Sequence, residues 1–207
     1  MLRARLLLAS SFLISTVISA LTMSVAWSPV VIVRGRNVEG VIYLSGYSLR
    51  IFGREAVVRV LESVSTLALA LVMGSVFPLV LSAYSLGGLL AGRERLRLHL
   101  EVASASLAVT AVNVTILYSL LRAIIAGVLP LLPLKGIVDT LAGHLYLEPP
   151  LVVYGPAYAL YARILSRSVL GVPGALLISL GLIAAASLPL YEALRLEAEP
   201  RYTRGPQ

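Results

Sequence analysis

Apolar residues follow one another along this chain in runs that are longer than a soluble helix needs. The longest runs cover residues 6–27, 63–92, 102–121 and 168–190. A helix rises about 1.5 Å per residue, so about 20 apolar residues are enough to cross a bilayer. Residues 151–166 form a shorter apolar segment that would add a fifth crossing. The pattern therefore predicts four to five membrane-spanning helices.

The segment between the first two apolar runs, residues 28–59, has a different pattern. Two runs rich in β-branched residues, 30–33 and 40–44, flank a polar stretch. Such runs on either side of polar and glycine residues are typical of paired strands. We expect a small extracellular β-hairpin after the first span, and helical spacing from Arg54 onwards.

Three other segments do not fit a membrane crossing. Residues 123–134 are apolar but short and contain Pro130 and Pro133, which predicts a re-entrant or interfacial hairpin. Residues 135–150 are expected to form a loop. The tail from Glu192 is charged and is expected to fray.

Small and polar residues recur at helical spacing in the second and third runs. Gly88 and Gly92 form a Gly-xxx-Gly pattern, which allows close approach of two helices. Ser106, Thr110 and Asn113 fall at i, i+4 and i+7. A buried amide needs a hydrogen-bond partner, so this stripe is expected to face neighbouring helices rather than lipid.

Arg122 directly follows the third apolar run. Because residues 102–121 are already long enough to cross a bilayer, we expect Arg122 at the far interface, with its charged end reaching water. The alternative is that Arg122 belongs to a substrate pathway.

Composition supports a membrane protein. Hydrophobic residues make up 58% of the chain and charged residues 13%, whereas about 25% of residues are charged in a soluble domain. Mean hydropathy is +0.92. We therefore expect an all-α, polytopic transmembrane bundle that forms a single membrane domain over residues 1–207, in contact with the lipid bilayer as a multi-pass protein of the cell membrane.

The net charge of +7 comes almost entirely from arginine. Arginines dispersed along the chain are typical of cytoplasmic loops and of contact with lipid headgroups. They are not concentrated on one face, as nucleic-acid binding would require, so no nucleic-acid partner is expected.

The residue inventory excludes several kinds of chemistry. The chain has no cysteine, which removes disulfides, iron–sulfur clusters and thiolate zinc sites. Its lone lysine, Lys135, is not in a phosphate-binding loop. We expect no catalytic residue, metal or cofactor. The alternative is a membrane-embedded enzyme that uses Asp139, His144 and Glu148. The absence of cysteine and the scarcity of amide side chains are typical of proteins from thermophiles.

A family resemblance covers residues 77–121. FPLVLSAY at 77–84 is followed by LLAGRER at 89–95 and by LHLE at 98–101, and a new apolar run then begins. This order resembles the type-2 permease subunits of ATP-binding-cassette exporters, in which the second span runs into a cytoplasmic Glu-Arg segment before the third.

This resemblance implies the permease subunit of an exporter that works with a separate cytoplasmic ATPase chain. It places Arg93, Glu94 and Arg95 where the permease meets that ATPase. The alternative is a non-catalytic accessory or scaffold subunit, whose partners are other membrane subunits of an oligomer. Four helices with an extracellular hairpin after the first are also similar to the claudin-like architecture, with Trp27 at the start of the loop.

Overall fold

The computed structural model describes residues 2–131, 136–140, 143–147 and 150–203, and these residues are mostly helical. In this part of the chain, four helices are long and apolar enough to cross a membrane. A fifth helix, α4, has only five residues. The helices are α1 (Leu2–Trp27), α2 (Arg59–Leu86), α3 (Arg93–Gly127), α4 (Pro156–Leu160) and α5 (Gly174–Thr203).

Nine strands accompany the helices among the described residues. They are β1 (Pro29–Arg34), β2 (Val38–Tyr43), β3 (Tyr47–Ile51), β4 (Arg54–Glu55), β5 (Gly136–Thr140), β6 (Gly143–Leu147), β7 (Leu151–Tyr154), β8 (Ser168–Val169) and β9 (Val172–Pro173). Five of them form one antiparallel sheet in the order β4-β3-β2-β1-β7. The expectation of a lone hairpin is therefore wrong. The two predicted strands pair as β1 and β2, but three further strands extend them on both sides.

The expected fifth crossing is also wrong. Residues 151–166 contain β7, α4 and one π-helical turn, Tyr161–Leu165. None of these approaches the roughly 20 residues that a crossing requires. The β-branched residues Val152 and Val153 favour a strand instead, and Pro156 begins a new helix directly after it.

Helix α3 includes two segments for which the sequence predicted something else. Its first turns contain the charged residues 93–101, which lie between the second and third apolar runs of the sequence. Its last turns include 123–127, which were expected in a re-entrant hairpin. The charged segment is helical because Arg97 and Glu101 pair at i, i+4. At the other end α3 continues until Gly127, since no proline or glycine interrupts it earlier. Residues 132–134 of the expected hairpin lie outside the described residues.

The boundaries of the remaining elements differ from the sequence predictions as well. Residues 168–173 form the β8–β9 hairpin, where Leu170 and Gly171 both have positive φ, and α5 therefore begins only at Gly174. It continues past Glu192 to Thr203, although that tail was expected to fray. Helix α2 begins at Arg59 rather than near Arg54, which lies in β4. Strands β5 and β6 pair in the segment that was expected to be a loop.

The chain folds as two compact units. Within the described residues, the first draws on 2–22, 73–115 and 175–203, and we call it the helical unit. The second draws on 23–72 and 116–174, includes the five-stranded sheet, and is called the sheet unit. In the helical unit, α1, α3 and α5 share a buried apolar cluster formed by Ala4, Leu8, Leu96, Leu100, Ala103 and Ala193.

Candidate functional site

The two glycines of the Gly-xxx-Gly pattern have different surroundings. A methyl group added at Gly88 would lie 2.6 Å from Cβ of His99 and 2.8 Å from Cδ1 of Leu8, so only glycine fits there. Gly92 has no atom within 4 Å of the same position. Because α2 ends at Leu86, the two glycines do not share one helix face. Of these two glycines, only Gly88 allows a close contact in the helical unit.

Ser106, Thr110 and Asn113 are all buried, with 0%, 0% and 6% of their surface exposed. The Ser106 hydroxyl donates to the carbonyl of Pro78 at 3.0 Å, and the Asn113 amide donates to the carbonyl of Gly74 at 3.1 Å. Thr110 instead donates to the carbonyl of Ser106 in its own helix. The stripe thus faces α2 and contacts it at two backbone oxygens.

The bond from Asn113 has a specific cause. In an α-helix the N–H of each residue donates to the carbonyl four residues before it. Proline has no N–H, so Pro78 leaves the carbonyl of Gly74 without a donor in α2. The side chain of Asn113 supplies that missing donor. Pro78 and Asn113 therefore act as a pair.

A second buried polar stripe, on α1, was missed in the sequence. Its members are Ser11, Ser15, Ser19 and Thr22. They recur every three or four residues, and this helical spacing could have revealed the stripe in the sequence. Two hydroxyl contacts join further helices of the helical unit. Thr16 lies 3.3 Å from Ser82, and Thr115 lies 2.9 Å from Ser179. Short hydroxyl side chains thus accompany close packing throughout this unit.

The segment predicted to bind an ATPase begins α3. Arg97 forms ion pairs with Glu101 at 2.9 Å and with Glu197 of α5 at 3.2 Å. Arg95 is exposed. The backbones of Arg93 and Glu94 belong to α3, but their side chains lie outside what the structure describes.

A buried carboxylate lies near the end of α5. The side chain of Glu192 is only 7% exposed, and its Oε2 atom lies 3.8 Å from Nε of Arg3 and 3.8 Å from Nη1 of Arg195. A buried charge is costly unless opposite charges lie nearby. Arg3 and Arg195 supply such opposite charges.

Arg122 is exposed on α3 near a group of tyrosines. The rings of Tyr118 and Tyr161 stack with centroids 5.8 Å apart, and those of Tyr154 and Tyr158 stack at 4.1 Å. Burial raises the pKa of Tyr161, and Tyr118 adds to this effect, while the charge of Arg122 opposes it. Aromatic rings and exposed arginine together are typical of a membrane–water interface.

The five-stranded sheet has one buried face and one face that we call the open face. Val31, Val33, Ile42 and Leu49 point to the buried face. The open face carries a groove of about 400 Å³. The side chains of this face that line the groove are Ile32, Arg34, Glu39, Val41, Ser48 and Arg50. Arg50 and Glu39 lie 3.8 Å apart on neighbouring strands, and both remain exposed.

The residues proposed for an enzymatic alternative lie in or beside the β5–β6 hairpin. The backbones of Asp139 and His144 lie opposite each other there, but their side chains and the whole of Glu148 lie outside the described residues. Within the described residues, no group of three or more histidine, aspartate or glutamate side chains could hold a metal ion.

No protein family, curated protein or solved structure was found to match this chain. The function must therefore be argued from the residues described above.

Proposed function

We propose that this chain is a multi-pass protein of the cell membrane that serves as a non-catalytic accessory or scaffold subunit and binds another protein through its sheet. The observation that carries the proposal is the five-stranded sheet, which combines an open face with an edge strand, β7, whose outer side pairs with no other described strand. Exposed sheet edges bind extended segments of other proteins by backbone hydrogen bonds. A sheet with no binding role is usually covered or blunted at such an edge.

The surfaces of the long helices support the membrane part of the proposal. In the most apolar windows of α1, α2 and α5, only 28% of the residues are buried. Large apolar side chains are exposed along these helices, including Leu13 at 62%, Met73 at 74% and Leu180 at 60%. A soluble protein rarely exposes apolar surface on this scale. A bilayer would cover it.

The helix count and the charged segment favour a scaffold over a permease. Four candidate spans, with strands between the first and the second, agree with the layout that the claudin-like resemblance implies. In a permease, the charged segment would have to offer its side chains to an ATPase. Here Arg97, which lies just after the three residues assigned to that contact, is engaged by Glu101 and Glu197 of the same chain.

The exporter permease remains the second candidate, and one observation favours it. Arg95 is exposed at the start of α3, where the family resemblance places the contact with the ATPase. If an ATPase binds there, it should no longer co-purify with the Arg95→Glu variant from native membranes, while the helices of the variant stay folded. The Arg5→Glu variant, at another exposed arginine of the helical unit, is the matched control. Absence of any co-purifying ATPase from the unaltered protein would contradict the permease proposal.

Photocrosslinking tests the scaffold proposal directly. A benzophenone amino acid replaces Val41 on the open face or, as the control, Val57, which is 75% exposed in the same unit but lies outside the groove. In membranes of the source cells, we expect a discrete crosslinked product with another protein at position 41 and severalfold less of it at position 57. Equal crosslinking at both positions, or none at position 41, would contradict partner binding by the open face.

A further inference from the structure

The two edges of the five-stranded sheet are built differently. Strand β4 has only two residues, Arg54 and Glu55, which are both charged and exposed. Short, charged edge strands prevent pairing with another chain. The opposite edge, β7, has four residues and no charge. Its Leu151, Val153 and Tyr154 side chains are 64%, 42% and 55% exposed. β7 itself contains no charge and no proline, although it is short and Pro150 and Pro156 flank it.

The hydrogen-bond phase shows which backbone groups of β7 face outwards. The N–H of Gly155 donates to the carbonyl of Val30 at 2.9 Å, in register with the β1–β7 pairs. Bonded and non-bonded pairs alternate along an antiparallel ladder. The N–H and C=O groups of Val153 therefore bond to β1. The N–H and C=O groups of Val152 and Tyr154 point away from β1, to the outer side of β7. Among the described residues, no strand pairs with that side.

We propose that β7 pairs antiparallel with β7 of a second copy of this chain, about a two-fold axis that passes beside Val153. This inference rests on the proposed function, because it names one partner of the sheet. In this register Val152 lies opposite Tyr154 of the second copy, and the two Val153 residues face each other.

The edge is complementary to itself, which is why a second copy fits. The outward-facing backbone groups belong to Val152 and Tyr154, which are equally spaced on either side of Val153. A two-fold rotation therefore brings donors opposite acceptors. An uncharged strand meets no like charge when it pairs with its own copy, and a pair of tyrosine with valine across two strands is favourable.

A disulfide experiment tests this register, because the chain has no cysteine of its own. In the proposed dimer the two Val153 residues form a non-hydrogen-bonded pair, whose Cα atoms are about 4.5 Å apart. That distance allows a disulfide. The full chain carrying Val153→Cys, in liposomes at a low protein-to-lipid ratio, should form a disulfide-linked dimer under mild oxidation.

Two matched variants control for accidental collisions. Val152→Cys places the same residue one position away, where the two copies are diagonal neighbours about 7–8 Å apart and do not bridge well. Val57→Cys lies on a different, more exposed segment. We expect Val153→Cys to form dimers at least severalfold faster than both. Equal rates for the three variants would overturn the proposal.

A proline variant separates strand pairing from simple proximity. Val152→Pro removes an N–H that points away from β1, and an edge strand tolerates proline at such a position. In the Val153→Cys background it should abolish the disulfide dimer and leave the melting temperature unchanged. An undiminished disulfide in a protein of unchanged melting temperature would overturn strand pairing.

The outcomes also separate this inference from the proposed function. If position 41 captures another protein while Val153→Cys dimerises no faster than Val57→Cys, self-pairing is wrong and the scaffold proposal stands. If Val153→Cys dimerises rapidly while position 41 captures nothing, self-pairing stands and the open face does not bind another protein.

Discussion

The helical unit and the sheet unit satisfy their polar groups in different ways. In the helical unit, side chains bond to backbone carbonyls of other helices, as Ser179 does to Ala111 at 3.0 Å. In the sheet unit, backbone bonds to backbone, both in the ladders and in connections such as that from Ser45 to Ala26 at 3.1 Å. The first arrangement depends on which side chain is present. The second depends on how closely two backbones approach, and is most sensitive where a glycine allows that approach.

The largest effect is expected at Gly155 in the sheet unit. A Cβ atom there would overlap the backbone carbonyl of Pro29, which is held in β1 and cannot turn away. We expect Gly155→Ala to cost about 3 kcal/mol or more and to leave little folded protein in detergent. Gly46→Ala is the control, because nothing lies within 4 Å of its Cβ position. Equal melting temperatures of the two variants would show that the sheet does not depend on this approach.

A smaller but clear loss is expected at Gly88 in the helical unit. The added methyl group would meet side-chain atoms of His99 and Leu8, which can shift more readily than backbone. We expect Gly88→Ala to lower stability by about 2 kcal/mol. Gly181→Ala, in α5 and with nothing within 4 Å, should leave the melting temperature unchanged or slightly higher. If the two alanine variants have the same melting temperature, close packing at position 88 is not important for stability.

Loss of the amide at position 113 should cost less again. Asn113→Leu leaves the carbonyl of Gly74 without any donor, and interhelical polar contacts of this kind contribute about 1 kcal/mol in membranes. Val112→Leu, at a neighbouring exposed position, controls for added apolar volume. Unfolding free energies measured in a denaturing detergent should separate the two variants.

A double variant tests the stated cause. In a Pro78→Ala background, the new backbone N–H can bond to the carbonyl of Gly74 within α2. Asn113→Leu should then cost much less than in the original sequence. An undiminished cost would mean that Asn113 acts by some means other than replacing the donor that proline lacks.

The smallest effect is expected at Ser106. Its hydroxyl donates to the carbonyl of Pro78, which keeps its own helical donor, the N–H of Ser82. We therefore expect Ser106→Ala to cost about 0.6 kcal/mol, the average for such contacts. Ser187→Ala removes a hydroxyl bonded only within α5 and should cost still less. The reverse ranking would contradict the idea that contacts between helices outweigh contacts within one.

The sequence predicts the helical unit better than the sheet unit for a physical reason. Apolar runs and the spacing of Ser106, Thr110 and Asn113 are local patterns. A helix depends on such patterns because its hydrogen bonds join residues only four positions apart. The pairing of β1 with β7 joins residues that are far apart in the chain, and no local pattern specifies it. Leu151–Tyr154 is apolar, which suits a strand as well as a membrane span, so the sequence assigned it to a short span.

Charge gave a second misleading signal. The charged residues around Arg97 interrupt the apolar runs of the sequence, yet they belong to α3, where pairing of Arg97 with Glu101 contributes to helix stability. Partners from distant segments, such as Glu197, become visible only in the fold. For the same reason, the two glycines at positions 88 and 92 could be matched to a packing pattern although only Gly88 is in close contact.

The link between Pro78 and Asn113 has a consequence for how the protein is made. A carbonyl that lacks a donor is unfavourable when it enters hydrocarbon. In a bilayer, α2 alone would carry that cost at Gly74, and relief comes from a side chain 39 residues later. Insertion of α2 and α3 together, as a helical hairpin leaving the translocation machinery, avoids the cost. If α2 and α3 cross a bilayer, we therefore expect the proline to couple the insertion of these two helices.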